Sequence, residues 1–249
     1  MGQYQYLHHL ILRRVNKYVP VRSYTNWNKR LSDSKIQKEP YRKYFFICEG
    51  VNTETWYFKE LINRRKQLHI HPMIDICLLE KTEEDRDISY PRKLIDFAEE
   101  QKDVADISFD KQRDKMIVVF DADIYENKVS GLKELVEENK NKNILGISNP
   151  AFELFLLLHF QGSVERIIKP NEKLIIDNKK VGNQRYIYKL LLDESGINSK
   201  KNSKIGELAK DIDIAIEQEK KINENIQHCK GEITCNIAHI IDEIRKDGI

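Results

Sequence analysis

The sequence predicts an α/β fold built on a mainly parallel sheet with helices on both faces, and three observations predict it. From Tyr44 onward, apolar strand-like blocks alternate with helix-like blocks. The strand-like blocks are uninterrupted apolar runs, clearest at 116–120 (MIVVF), rather than the in-out alternation of a half-solvated strand. After residue 150 the strand signals give way to helical ones, which predicts a helical C-terminal extension.

Each element follows from its residues. Residues 1–43 carry Tyr, Trp and Arg without periodicity and read as an extended or partly ordered basic arm. The first strand covers 44–48 and ends on Glu49 and Gly50. A helix over 52–68 has Thr53 as its cap, with Phe58, Leu61 and Ile62 spaced for one buried face. Residues 73–81 form the second strand, and 90–102 a helix that tolerates Pro91 in its first turn. The third strand covers 115–123, followed by a helix at 131–142 and a strand at 143–149. Asn149 and Pro150 open an apolar helix over 149–160 as cap and first helical residue. Residues 161–202 are turn-rich, and 203–225 and 232–246 read as charged amphipathic helices. The resulting division is an arm (1–43), an α/β domain (44–160) and a mixed, helical C-terminal subdomain (161–249).

Composition bounds the function. The chain has 249 residues, 40% of them hydrophobic and 33% charged. No stretch approaches the roughly 18–20 apolar residues of a membrane helix, and the N-terminal piece lacks a signal-peptide cleavage pattern. A cytoplasmic protein without a membrane partner is expected. Residues 1–43 hold ten Lys or Arg against Asp33 and Glu39, a balance of +8, which leaves −6 for the remainder of a chain whose net charge is +2. Such an arm either grips a phosphate backbone through Arg13, Arg14, Arg22, Lys29 and Arg30 or is simply solvated. Tyr24 and Trp27 either stack on bases or anchor the arm. Cys229 and Cys235, near His228 and His239, depart from zinc-site spacing, so reduced thiols are expected.

The chemistry concentrates at strand ends. In parallel sheets ligands bind beyond the carboxyl ends of the strands, where Glu49 and the pair Asp121 and Asp123 stand. If the strand continued, both aspartates would face the same way, about 6–7 Å apart. Carboxylates gathered there repel one another, so the site either retains a proton or binds a divalent cation. Oxygen-only ligands favour Mg2+ or Mn2+. Glu153 falls in the first turn of the 149–160 helix, where it either completes the helix terminus or joins the site. His159 reads as a satisfied core histidine.

The segments ICEGVNTETWYF, VVFDAD and SNPAFELFLLLHF, in this order and spacing, resemble the RloB-like family, which includes AbiLii of the AbiL abortive-infection system. The likeness spans about residues 40–245, with a weaker match at EITCNIAHIIDEI. Phe155 stands where Trp is expected and Glu232 where Pro is common. The resemblance implies a TOPRIM-like (Rossmann-like) fold for residues 44–160, with Glu49, Asp121 and Asp123 as metal ligands and, with Glu153, catalytic residues. Glu54 and Asn149 then stand behind those ligands or serve a second ion.

The implied activity is Mg2+-dependent hydrolysis of nucleic-acid phosphodiesters, in tRNA or DNA, within an antiphage abortive-infection system. An AAA- or ABC-type ATPase encoded nearby is the implied partner, since no G-x4-G-K-[ST] loop occurs here. The alternative is a non-catalytic nucleic-acid-binding or regulatory subunit on the same scaffold. Nucleotidyl transfer is a third class with no supporting feature.

Overall fold

The computed structural model describes residues 22–25, 40–85, 88–127 and 130–247. Its centre is a six-stranded sheet in the order β1-β3-β2-β4-β5-β8. Strands β2 (Arg42–Cys48), β3 (Ile74–Glu80), β4 (Lys115–Asp121) and β5 (Ile144–Asn149) are parallel to one another. The edges are antiparallel: β1 (Arg22–Thr25) pairs with β3, and β8 (Thr234–Cys235) pairs with β5. A small hairpin, β6 (Lys180–Val181) and β7 (Gln184–Arg185), stands apart from the sheet. The expected α/β architecture with a mainly parallel sheet is therefore present.

The apolar runs explain why the sheet is covered twice. Successive side chains of a strand point to opposite faces, so Tyr44, Phe46 and Cys48 enter one core with Ile76, Ile117 and Val119. Phe45 and Ile47 enter the other, with Leu79, Val118, Phe120 and Ile147. The first face is covered by α1 (Thr53–Asn63), and the second by α2 (Pro91–Gln101) and, beyond the short α3 (Asp123–Asn127), α4 (Leu132–Asn139). Tyr57, Phe58, Leu61 and Ile62 of α1 are fully buried, each contributing roughly 1.5–3 kcal/mol.

The C-terminal half packs on the first face as well. It comprises α5 (Phe152–Leu157), α6 (Glu172–Asp177), α7 (Tyr186–Ser195), a 3-10 segment (Ser203–Asp211), α8 (Ile212–Glu219) and α9 (Ile237–Lys246). Ile187, Leu191, Ile205, Ile212 and Ile241 share one core cluster with Phe46 and Ile117. Glu219 caps α9 from a distant segment, accepting the backbone N–H groups of Ala238 and His239.

Within the basic arm Arg22–Thr25 is an ordered, extended strand that hydrogen-bonds along β3. Tyr24 is an anchor: its hydroxyl donates to Asn63 Oδ1 at 2.8 Å, and Lys59 Nζ sits 5.2 Å from its ring centre. Arg13, Arg14, Trp27, Lys29 and Arg30 lie outside the described residues. Thr53 is the first helical residue rather than the cap; its hydroxyl donates to the Ser199 carbonyl. The apolar helix begins at Phe152, not Asn149, because Asn149 completes β5. The segment from 232 starts as β8 rather than as helix, since Thr234 and Cys235 complete the sheet edge. Among the described residues, no helix is long and apolar enough to cross a membrane.

Candidate metal and phosphate site

The carboxyl end of the parallel strands gathers acidic side chains from four segments. Glu49 directly follows β2, and its backbone N–H still pairs with the Val119 carbonyl of β4, at 2.8 Å. That extra pairing fixes the side chain beside the next strand end, where Oε2 accepts the backbone N–H of Asp121 at 3.0 Å. Asp121 is the last residue of β4. Its Oδ1 accepts the backbone N–H of Phe152 at 2.8 Å and the Ser148 hydroxyl at 3.3 Å. One carboxylate thus ties together the ends of β4 and β5 and the start of α5.

Glu54 reaches the site from the first turn of α1, where it is buried. Gly50 explains how. A Cβ at residue 50 would lie 2.1 Å from Glu54 Oε2, so only glycine leaves the carboxylate its place against the backbone. Glu153, in the first turn of α5, is fully buried. Its Oε1 accepts the Ser199 hydroxyl at 3.0 Å and Lys200 Nζ at 2.9 Å, while Oε2 is buried without a partner.

Asp123 departs from the expected geometry. The strand ends at Asp121, and Asp123 opens the short helix α3, so the two side chains do not extend one strand face. Asp123 is paired with Arg185 of the hairpin. Asn149 is fully buried and directs Nδ2 to the carbonyls of Cys229 and Glu232, both at 2.9 Å, bracing the loop that leads to β8.

Electrostatics follow from this crowding. Burial, with the charges of Glu54 and Asp123, pushes Glu49 up to about 7 despite the Asp121 N–H and nearby Lys81. Burial and the charges of Glu49, Glu54 and Glu153 hold Asp121 well above the usual carboxylate range. Burial also raises Glu153, against the opposing pull of Lys200. Lys200 remains firmly charged: burial works against it, but Glu153 and Glu54 outweigh that cost. Lys81, whose ammonium group donates to the carbonyls of Glu49 and Ile88, is lowered by its burial.

Among the described residues no trio of His, Cys, Asp or Glu side chains is already arranged as a metal cage. Asp123 and Glu153 are turned onto Arg185 and Lys200 instead. The donor set nevertheless fits a hard divalent ion. It is all oxygen, its protein cations leave Glu49 and Asp121 underneutralised, and Glu153 keeps one buried oxygen unpartnered. Cys48, Cys77, Cys229 and Cys235 are all buried, and none of them is in a disulfide. His159 is a core histidine: Tyr57 Oη lies 2.8 Å from Nε2 and the Phe155 carbonyl 3.0 Å from Nδ1.

The family model described as RloB-like protein matches residues 44–244. The chain belongs to the RloB-like family. No curated protein and no solved structure matches it. In this RloB-like chain the matched span contains Glu49, Glu54, Asp121, Asp123, Asn149 and Glu153. It also contains Lys81, Arg185, Ser199 and Lys200, which sequence reasoning passed over. Lys200 stands in a run, NSKKNSK, where nothing distinguishes it from neighbouring lysines; only the fold brings it to Glu153.

Proposed function

We propose that this RloB-like chain is a Mg2+- or Mn2+-dependent TOPRIM-like nuclease that hydrolyses nucleic-acid phosphodiesters in abortive infection under the control of a partner ATPase. The observation that carries the reading is the meeting of Glu49 and Asp121, 72 residues apart, through a direct hydrogen bond at the carboxyl end of the sheet. Asp121, Asp123 and Glu49 would hold the ion, with Glu153 and Glu54 as ligands to a second ion or supports behind the first. The ion supplies Lewis acidity toward a phosphate oxygen and toward attacking water. Glu49 would be either a ligand or the general base: burial pushes it up to about 7 in the metal-free chain, and only if left uncoordinated could it take the proton of that water. Lys200 and Arg185 carry the positive charge that an incoming phosphate would meet.

A second reading has its own support. The pairing of Asp123 with Arg185 and of Glu153 with Lys200 suits a scaffold that binds nucleic acid without cutting it. The test incubates the chain, with and without its ATPase partner, with DNA and tRNA in Mg2+ or EDTA, using Asp121→Ala and Glu49→Ala as controls. The nuclease reading expects cutting in Mg2+ alone and none from either variant. Equal cutting by all three proteins would remove the assigned site. Metal-independent binding without cutting in any arm would favour the scaffold.

A further inference from the structure

The C-terminal segment builds a groove of about 410 Å³ against the outer side of Lys200 and Arg185. Its charged lining consists of Lys180, Arg185, Lys200 and Lys201, and no carboxylate lines it. Asn198 and Tyr188 are among its other walls. Two of the four cations also face the acidic cluster, through Arg185–Asp123 and Lys200–Glu153. A cationic channel and a carboxylate cluster therefore share one wall.

The arrangement costs stability, which makes it informative. In the hairpin, Lys180 stands directly opposite Arg185, and like charges opposite one another in a strand pair are destabilising. Asp123 neutralises Arg185, while among the described residues neither Lys180 nor Lys201 has an ion-pair partner. Lys200 is held in place from two sides, by Glu153 and by the Tyr188 ring, whose centre is 4.7 Å from Nζ. Fixed cations flanked by free ones, with amides between them and no acid, match a chain of phosphates.

We infer that this groove binds the phosphodiester backbone of the nucleic acid and leads it to the carboxylates, an assignment that rests on the nuclease reading for its purpose but not for its binding chemistry. The path runs over the free pair, Lys180 and Lys201, and ends at Arg185 and Lys200. All of the groove's lining comes from residues 180–201.

The experiment measures binding of the full chain to labelled single-stranded DNA and to a tRNA transcript by fluorescence anisotropy in EDTA, across a salt series. The variants are Lys180→Glu/Lys201→Glu in the groove and, for the same change in net charge, Lys140→Glu/Lys142→Glu near the amino end of β5. The groove variant is expected to bind at least about 10-fold more weakly at low salt, with a salt slope shallower by about 1.4–1.8, the share of two phosphate contacts. The control variant should stay within about 3-fold of wild type. Equal weakening by both double variants, or no weakening by the groove variant, overturns the groove. The nuclease reading is judged separately in Mg2+. Lost binding by the groove variant with no cutting by wild type keeps the groove and removes the nuclease. Asp121-dependent cutting that the groove variant performs as well as wild type keeps the nuclease and removes the groove.

Discussion

Replacing Lys200 by Met should destabilise the metal-free chain by an amount limited by what it costs Glu153, its direct ion-pair partner, to take a proton. Lys200 Nζ is 2.9 Å from a carboxylate oxygen of Glu153, whose side chain is 0% exposed. At an effective dielectric of about 20, the gross attraction is about 6 kcal/mol. That figure is not the loss to expect, because the Lys200 side chain is 41% exposed and solvent screens it. There is also a lower ceiling. Once Lys200 is gone, Glu153 can take a proton, and from its ordinary value of 4.5 this costs at pH 7 no more than about 3 kcal/mol. The smaller term governs, so a loss of about 2–3 kcal/mol at neutral pH is predicted.

The sign follows from the same linkage. Removing the cation raises the folded-state value of Glu153 further above its unfolded value. The penalty therefore grows as pH rises above 4.5 and shrinks to under about 1 kcal/mol near pH 5. Urea unfolding of wild type, Lys200→Met and Lys200→Met/Glu153→Gln at both pH values reads this directly. The double variant should recover most of the loss, because residue 153 then no longer buries a carboxylate without its cation. An equal loss at both pH values, or a double variant no more stable than the single, would refute the reasoning.

Other predictions follow from single contacts. His159 is pushed down to about 4 by burial from an ordinary 6.5, so its contribution is complete above pH 6.5 and about 3 kcal/mol is lost as pH falls toward 4; His159→Leu should flatten the stability curve in that window, whatever it costs overall. A Cβ at Gly206 would lie 2.5 Å from the Trp56 carbonyl oxygen, so Gly206→Ala should cost about 1–3 kcal/mol in chemical unfolding by forcing the 3-10 segment off α1. Gly50→Ala should displace the Glu54 carboxylate and lower metal-dependent cutting while leaving far-ultraviolet circular dichroism unchanged.

The strands were legible because burial on two faces writes itself into sequence as a continuous apolar run, and 116–120 is such a run. Glu49 and Asp121 were legible as strand-terminal acids for the same reason. What sequence hid depended on long-range partners. Asn149 has the chemistry of a cap, but the carbonyls of Cys229 and Glu232 draw its side chain away. Thr53 likewise gives its hydroxyl to Ser199. The two residues of β8 are too few for a period to register, and they become a strand only because β5 offers them an edge. Asp123 looked coplanar with Asp121 until the chain turned into α3, and Arg185, 62 residues away, came to meet it.

If a hard divalent ion offsets the repulsion within the acidic cluster, removing one of its charges should substitute for the ion. Thermal unfolding of wild type and Asp121→Asn, each in EDTA and in millimolar Mn2+, tests it most directly. Asn preserves an acceptor for the Phe152 N–H and the Ser148 hydroxyl while removing one of the mutually repelling charges. The variant should melt higher than wild type in EDTA, and Mn2+ should raise wild type but not the variant. Identical Mn2+ responses, or a variant that melts lower than wild type in EDTA, would contradict it.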